Sequence, residues 1–312
     1  MRAPKKRLES SSAGVLKLSV IGGIMLDVVT YLPSCNLEEL CEVKNVASTI
    51  KTVAGGTGVL FSIAAKRQGF QDVSLIGKVG SDPRDATKVD CAGQKILSEL
   101  MRAGIVVSLS MDAQIATGLT MITYLSDGRR LLVSDPGADD RFSLQDITEE
   151  MELSVKHSDI LFVSGYALLK PERASAAMRL MDRAKQNGRL VVVDIVPHSI
   201  FRMIDGATFR DMTRQADLVI SEIGTANRLF DDRQTGLSSV SETASRILKH
   251  YGAVILQLEG GGHLMMDRIG LIEECPSDVQ NLLPDQSRGY ADGIVARLLH
   301  RQFDRLKRGQ QR

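Results

Sequence analysis

The stretch "GVLFSIAAKRQGFQDVSLIG", residues 58–77, carries the alternation on which the fold turns. Residues 58–69 read as a helix closed by a glycine, and "VSLIG" (73–77) as a short buried strand. The unit repeats outward in both directions. Upstream stands the β-branched run "LKLSVI" (16–21); downstream come the helical "QKILSELMRAG" (94–104), the strand "ILFVSG" (160–165) and the helix "ERASAAMRLMDRAKQNG" (172–188). "LVVVD" (190–194), "DLVIS" (217–221) and "AVILQL" (253–258) continue the strands, and Ser239 with Glu242 has capping-box spacing before the last of them. Strands alternating with helices imply an α/β fold, a doubly wound and mainly parallel sheet flanked by helices on both faces.

Two segments break the pattern. Residues 28–53 carry the β-prone pieces "VVTYL" and "ASTIKTVA" without a strong helix, and "GLTMITYLSDGRRLLVS" (118–134) reads as a hairpin turning at Asp127 and Gly128. Such strands have no place in a doubly wound core. They predict a small projecting β-sheet lid built from about 28–53 and 114–134. The expected organisation is a basic, Ser-rich tail over 1–14, one α/β domain over 15–304, and a basic C-terminal tail over 305–312.

Composition narrows the function classes. With 43% hydrophobic and 25% charged residues in a chain of 312, the sequence is that of an ordinary globular protein. Thirty-nine basic against 38 acidic side chains leave a net charge of +1, so no global field favours nucleic acid or an anionic membrane. Four cysteines, Cys35, Cys41, Cys91 and Cys275, show no C-x-x-C pairing, and the five histidines are scattered. Reduced thiols in a cytoplasm fit that pattern better than a zinc site or a disulfide framework. No stretch has the length of a membrane span. A dinucleotide enzyme, suggested by "VIGGIML", fails because G-x-G-x-x-G is absent.

Candidate ligand residues fall after strands, where open α/β sheets collect ligands. Asp27 follows "SVIGGIML", Gly55 and Gly56 precede a helix, Asp194 ends "LVVVD", and Gly260 to Gly262 follow "AVILQL". In "DQSRGYADGIVARLL" (285–299), Ile294, Val295, Leu298 and Leu299 have helical spacing, so Asp292 lies in the first turn. Two roles compete there. A carboxylate can simply accept free N–H groups of the helix start. Alternatively, the glycine before it lets those N–H groups converge on an anion, beside which the carboxylate serves as a general base.

In this order the pieces resemble the ribokinase-like (PfkB) family of carbohydrate and nucleoside kinases, over almost all of residues 16–303. "SVIGGIMLDVVTYLP" looks like the family's first strand with its substrate-binding aspartate. "AGGTGVLFSIAAKRQGFQDVSLIGKVGSD" looks like its first signature, "TGLTMITYLSDGRRLLVSDPGAD" its lid strand pair, and "GYADGIVARLL" its G-A-G-D helix. The resemblance implies that Asp292 takes the proton from a substrate hydroxyl that attacks the γ-phosphoryl group of ATP. Backbone N–H groups around Gly289, Tyr290 and Ala291 would form the anion hole. Asp27 would hold hydroxyls of a small sugar, sugar phosphate or nucleoside, with Gly55 and Gly56 as the lid hinge. Asp194, Glu222, Gln257, Gly260 and Gly262 would line the nucleotide side, with Glu222 reaching Mg2+. A monovalent cation stays open, and a homodimer through the lid would cover its exposed sheet.

The sequence also departs from that pattern. Leu60 stands where a substrate-side asparagine is expected, Val196-Pro197-His198 replaces N-x-R, and Glu222-Ile223-Gly224-Thr225 replaces N-x-x-E. The nucleotide loop reads Gln257 to Gly262 with Glu259 inside it, the second anion-hole glycine is Ala291, and the sequence ends soon after the Asp292 helix. A charge at Glu259 would repel phosphates unless turned away or paired. Two function classes therefore stand: an ATP-dependent kinase, and a non-catalytic homologue that binds a small ligand or a protein partner.

Overall fold

The computed structural model describes residues 15–32, 47–125, 129–230, 239–277 and 288–310, and the elements and contacts given below are those of the described residues. β1 (Lys17–Ile21) lies at the middle of a ten-stranded sheet. On one side it pairs in parallel with β4 (Asp72–Asp82), which pairs in parallel with β6 (Val106–Asp112) and bends into the antiparallel β5 (Asp85–Val89). On the other side follow β9 (Ile160–Ser164), β10 (Leu190–Asp194), β11 (Leu218–Glu222) and β12 (Ala253–Gln257), all parallel. An antiparallel hairpin, β13 (His263–Asp267) and β14 (Gly270–Cys275), finishes that edge.

The central strands are continuous apolar runs because helices cover both faces. Every residue of β9 is buried. Its alternate side chains feed two cores: Ile160 and Phe162 enter one, Leu161 and Val163 the other. The first core receives α1 (Thr57–Arg67), α2 (Cys91–Arg102) and α8 (Tyr290–Gly309), with Phe61 of α1 stacked on Phe162 at 3.6 Å. The second receives α3 (Glu149–His157), α4 (Pro171–Gln186), α5 (Gly206–Met212), α6 (Ile223–Phe230) and α7 (Val240–Ile247). The capping box expected before β12 is formed: Ser239 N donates to Glu242 Oε2 at 2.8 Å, and Glu242 N donates to Ser239 Oγ at 3.2 Å.

The projecting sheet is also present, in the order β3 (Ile50–Gly55), β2 (Met25–Leu32), β7 (Thr117–Leu125), β8 (Arg130–Gly137). Strand β2 starts before residue 28, so Asp27 lies inside the lid sheet, opposite Val53 and Thr120. On the Asp27 face Val29, Ile122 and Tyr124 form a buried cluster, with Tyr31 stacked on Tyr124 at 5.3 Å. The expected turn residues Asp127 and Gly128, the 1–14 tail, Cys35 and Cys41 lie outside the described residues, while Cys91 and Cys275 are free thiols.

One boundary is corrected. Residues 305–309 are not a loose basic tail but the end of α8. Apolar spacing continues through Phe303 and Leu306, both buried, and Arg305 is neutralised by Asp267 Oδ2, 3.0 Å from Nε and 2.8 Å from Nη2. Basic residues at a helix end also suit the negative pole of its dipole. Among the described residues, no helix is long and apolar enough to cross a membrane.

Candidate active site

The parallel strands bring their carboxyl ends to one edge of the sheet. Gly22 follows β1, Ser164 ends β9, and Asp194, Glu222 and Gln257 close β10, β11 and β12. Near Gly22 the chain crosses from the central sheet into the lid and back through Gly56, which begins α1. Gly56 takes φ 88°, and a Cβ there would lie 2.3 Å from the Gly23 carbonyl oxygen. That carbonyl accepts Gly58 N at 3.0 Å, while Thr57 Oγ1 accepts Gly23 N at 3.0 Å and donates to Ser164 Oγ at 2.9 Å. The start of α1 is thereby tied to β1 and β9.

Gly55 has a different task. A Cβ on it would sit 2.1 Å from Asp27 Cγ and 2.2 Å from both carboxylate oxygens, so the bare Cα is what lets the Asp27 carboxylate lie flat against β3. Asp27 is buried there. Arg288 reaches it from the loop before α8, with Nη2 at 2.6 Å and Nε at 3.2 Å from Oδ2, and donates from Nη2 to the Ala54 carbonyl at 2.5 Å. Burial raises the Asp27 pKa, and the guanidinium opposes part of that rise. The pairing was not anticipated from sequence. The only local signal was a basic residue directly before Gly289.

Gly289 is the N-cap of α8 at φ 74°, a left-handed conformation that glycine adopts without strain, and it supplies no side-chain cap. Tyr290, Ala291 and Asp292 form the first turn of α8. Asp292 has its pKa pushed up to about 6 by burial, against the lowering effect of its own backbone N–H and the Arg288 charge. Asp194 faces it: burial, and then the Asp292 charge, push the Asp194 carboxyl up to about 8. Burial and the neighbouring Asp292 charge both favour the protonated form of Asp194. The structure thus gathers Asp27, Arg288, Asp292 and Asp194, with Gly55 and Gly289, about the start of α8.

The other expected residues line the neighbouring strand ends. Glu222 is directly paired with Gln257 in the sheet register, and His198 Nδ1 lies 3.4 Å from Glu222 Oε2. Thr225 Oγ1 donates to the His198 carbonyl at 2.8 Å. Gly260 and Gly261 take φ 93° and 88° in the β12–β13 turn, where Leu258 N donates to the Gly262 carbonyl at 2.7 Å. Glu259 is exposed at the tip. Among the described residues no group of three or more His, Cys, Asp or Glu side chains is gathered for a metal ion. The half-exposed Glu222 carboxylate still fits magnesium, which keeps several waters and takes one or two carboxylates together with substrate phosphates.

A family model described as pfkB family carbohydrate kinase matches residues 15–260. The chain belongs to this family. It is 23% identical over 256 residues to a ribokinase of Lactococcus lactis subsp. lactis, covering 76% of this chain and 79% of that protein. Among solved structures, adenosine kinase of Trypanosoma brucei brucei superposes with a TM-score of 0.74 at 16% identity, covering 96% of each chain. Fructokinase of Xylella fastidiosa with bound ATP gives 0.69 at 16% identity, covering 93% of this chain and 84% of the other. These likenesses bear out the mixed α/β architecture and the small separate sheet of this pfkB family chain. The stretch bearing Asp292 follows the matched region.

Proposed function

We propose that this pfkB family chain is an ATP-dependent kinase that phosphorylates an alcohol group of a small sugar, sugar phosphate or nucleoside, with Asp292 as general base. The observation that carries the reading is the placement of Asp292: a carboxylate with a pKa raised to about 6, in the first turn of a helix that starts on a left-handed glycine, just after Arg288, which pairs with Asp27. Such a group is ionised at neutral pH yet basic enough to receive a hydroxyl proton as the transition state forms.

The substrate lies against Asp27, whose position depends on Gly55, with its reactive hydroxyl at Asp292. The hydroxyl proton passes to the Asp292 carboxylate as its oxygen bonds to the γ-phosphorus; the bond from that phosphorus to the bridging oxygen breaks, and ADP is released. First-turn N–H groups of Gly289, Tyr290 and Ala291 stabilise the charge on the transferring group. Bound ATP with Mg2+ supplies the phosphoryl group and neutralises phosphate charge. Asp194, Gln257, Gly260 and Gly262 line the nucleotide side, and Glu222 would hold magnesium beside the phosphates. Gly56 serves as the hinge by which the lid closes.

The test is ADP release from ATP and Mg2+ across a panel of sugars, sugar phosphates and nucleosides. Substrate-dependent release by at least one member is expected. Ligand binding without ADP release from any would instead favour a non-catalytic binding protein.

A further inference from the structure

Arg288, held on Asp27, is a cation that the reading of this site as a kinase does not use. Resting on that reading, we infer that Arg288 is a specificity-determining residue: it adapts the acceptor pocket to a ligand bearing an oxyanion, a carboxylate or phosphate, and disfavours neutral sugars held by two adjacent hydroxyls.

Donor and acceptor accounting carries the inference. A bare carboxylate offers two oxygens, enough to accept a pair of neighbouring hydroxyls. Here Asp27 Oδ2 already receives Nη2 at 2.6 Å and Nε at 3.2 Å of Arg288, so a diol chelating both oxygens competes with a charged fork. The carboxylate cannot turn away, because Gly55 packs flat against it, within 2.2 Å of where a Cβ would stand. Nη2 also donates to the Ala54 carbonyl, which ties the guanidinium to the hinge strand β3. Three of the five guanidinium N–H donors are then engaged. Among the described residues, no hydrogen bond takes the two on Nη1.

Exposure says which partner meets a ligand. The Asp27 side chain is 5% exposed and that of Arg288 20%, so the accessible member of the pair is the cation. A ligand that covers Nη1 removes it from water and must return an acceptor, and an oxyanion makes the strongest such bond. Asp27 offsets the guanidinium charge, so attraction at long range is weak. Discrimination arises at contact, from donors held in place.

The test is calorimetric titration of the full chain with D-gluconate, D-fructose 6-phosphate, D-fructose and adenosine, for the wild type, Arg288→Gln and Arg288→Lys. The wild type is expected to bind gluconate or fructose 6-phosphate at least about tenfold more tightly than fructose or adenosine, and whichever wins identifies carboxylate or phosphate as the recognised group. Arg288→Gln should reverse that preference, weakening the oxyanion ligand about tenfold and tightening the neutral one; Arg288→Lys, which keeps charge but loses the fork, should fall between. If Arg288→Gln does not fold, the wild-type preference and its loss in Arg288→Lys decide. A neutral ligand bound best by the wild type, with all affinities changing in parallel in the variants, would overturn the role of Arg288 while leaving the kinase reading standing. No binding of any probe by any of the proteins would overturn both.

Discussion

Asp194 ends β10 and Asp292 lies in the first turn of α8, and the Asp292 charge adds to the cost of ionising Asp194. Asp194 is held up to about 8, first by burial and then by Asp292. A carboxyl whose folded pKa lies above its unfolded value binds its proton more readily when folded, so its contribution declines as pH rises from about 4 to about 8. Asp194→Asn removes that dependence. It should leave the melting temperature little changed near pH 4 and raise it near pH 8, each kcal/mol relieved being worth about 2–4 °C in a chain of this kind. Equal melting shifts at both values of pH, read by calorimetry, would contradict the account. At this scale sequence reading went far with Asp292, because an acid after a glycine at a helix start is a local pattern. It missed Arg288 on Asp27, partners 261 positions apart that only the crossing of β2, β3 and α8 brings together.

Between β2 and β3 the packing tolerance is smaller than a methyl group. Gly55→Ala would place its Cβ on the Asp27 carboxylate, so the aspartate must move and lose its bonds to Arg288. The expected result is at least about tenfold weaker substrate binding together with about 1–3 kcal/mol lower stability, measured by titration and denaturant melting. Unaltered binding would show that the position of the Asp27 carboxylate does not matter. The element pattern itself was readable wherever periodicity was strong, as in α2, where Ile96 and Leu100 are buried at helical spacing. The continuation of α8 past residue 304 was hidden because Arg305, Lys307 and Arg308 mask, by their charge, the spacing of Phe303 and Leu306. Hydrophobic period, rather than local charge, set the end of the helix.

Across the whole molecule, the lid face turned away from Asp27 exposes Ile50, Leu119, Met121, Leu131 and Val133, an apolar surface on a four-stranded sheet. We propose that this face packs on its copy in a homodimer. Met121→Lys with Val133→Lys, which face each other across β7 and β8, should shift sedimentation from dimer to monomer without unfolding the chain. A wild-type chain that sediments as a monomer at micromolar concentration would refute the dimer. The two-sheet plan was legible because lid strands break a βα alternation, and an exposed lid sheet was expected; which residues form that face was not, since it depends on the register of β2, β3, β7 and β8.

The most direct test of the central claim compares the wild type with Asp292→Asn in ATP turnover and in binding of the best acceptor from the panel. If Asp292 is the general base, turnover falls at least about a hundredfold while acceptor affinity stays within about threefold. Turnover near that of the wild type, with the chain folded and the acceptor bound, would contradict the account.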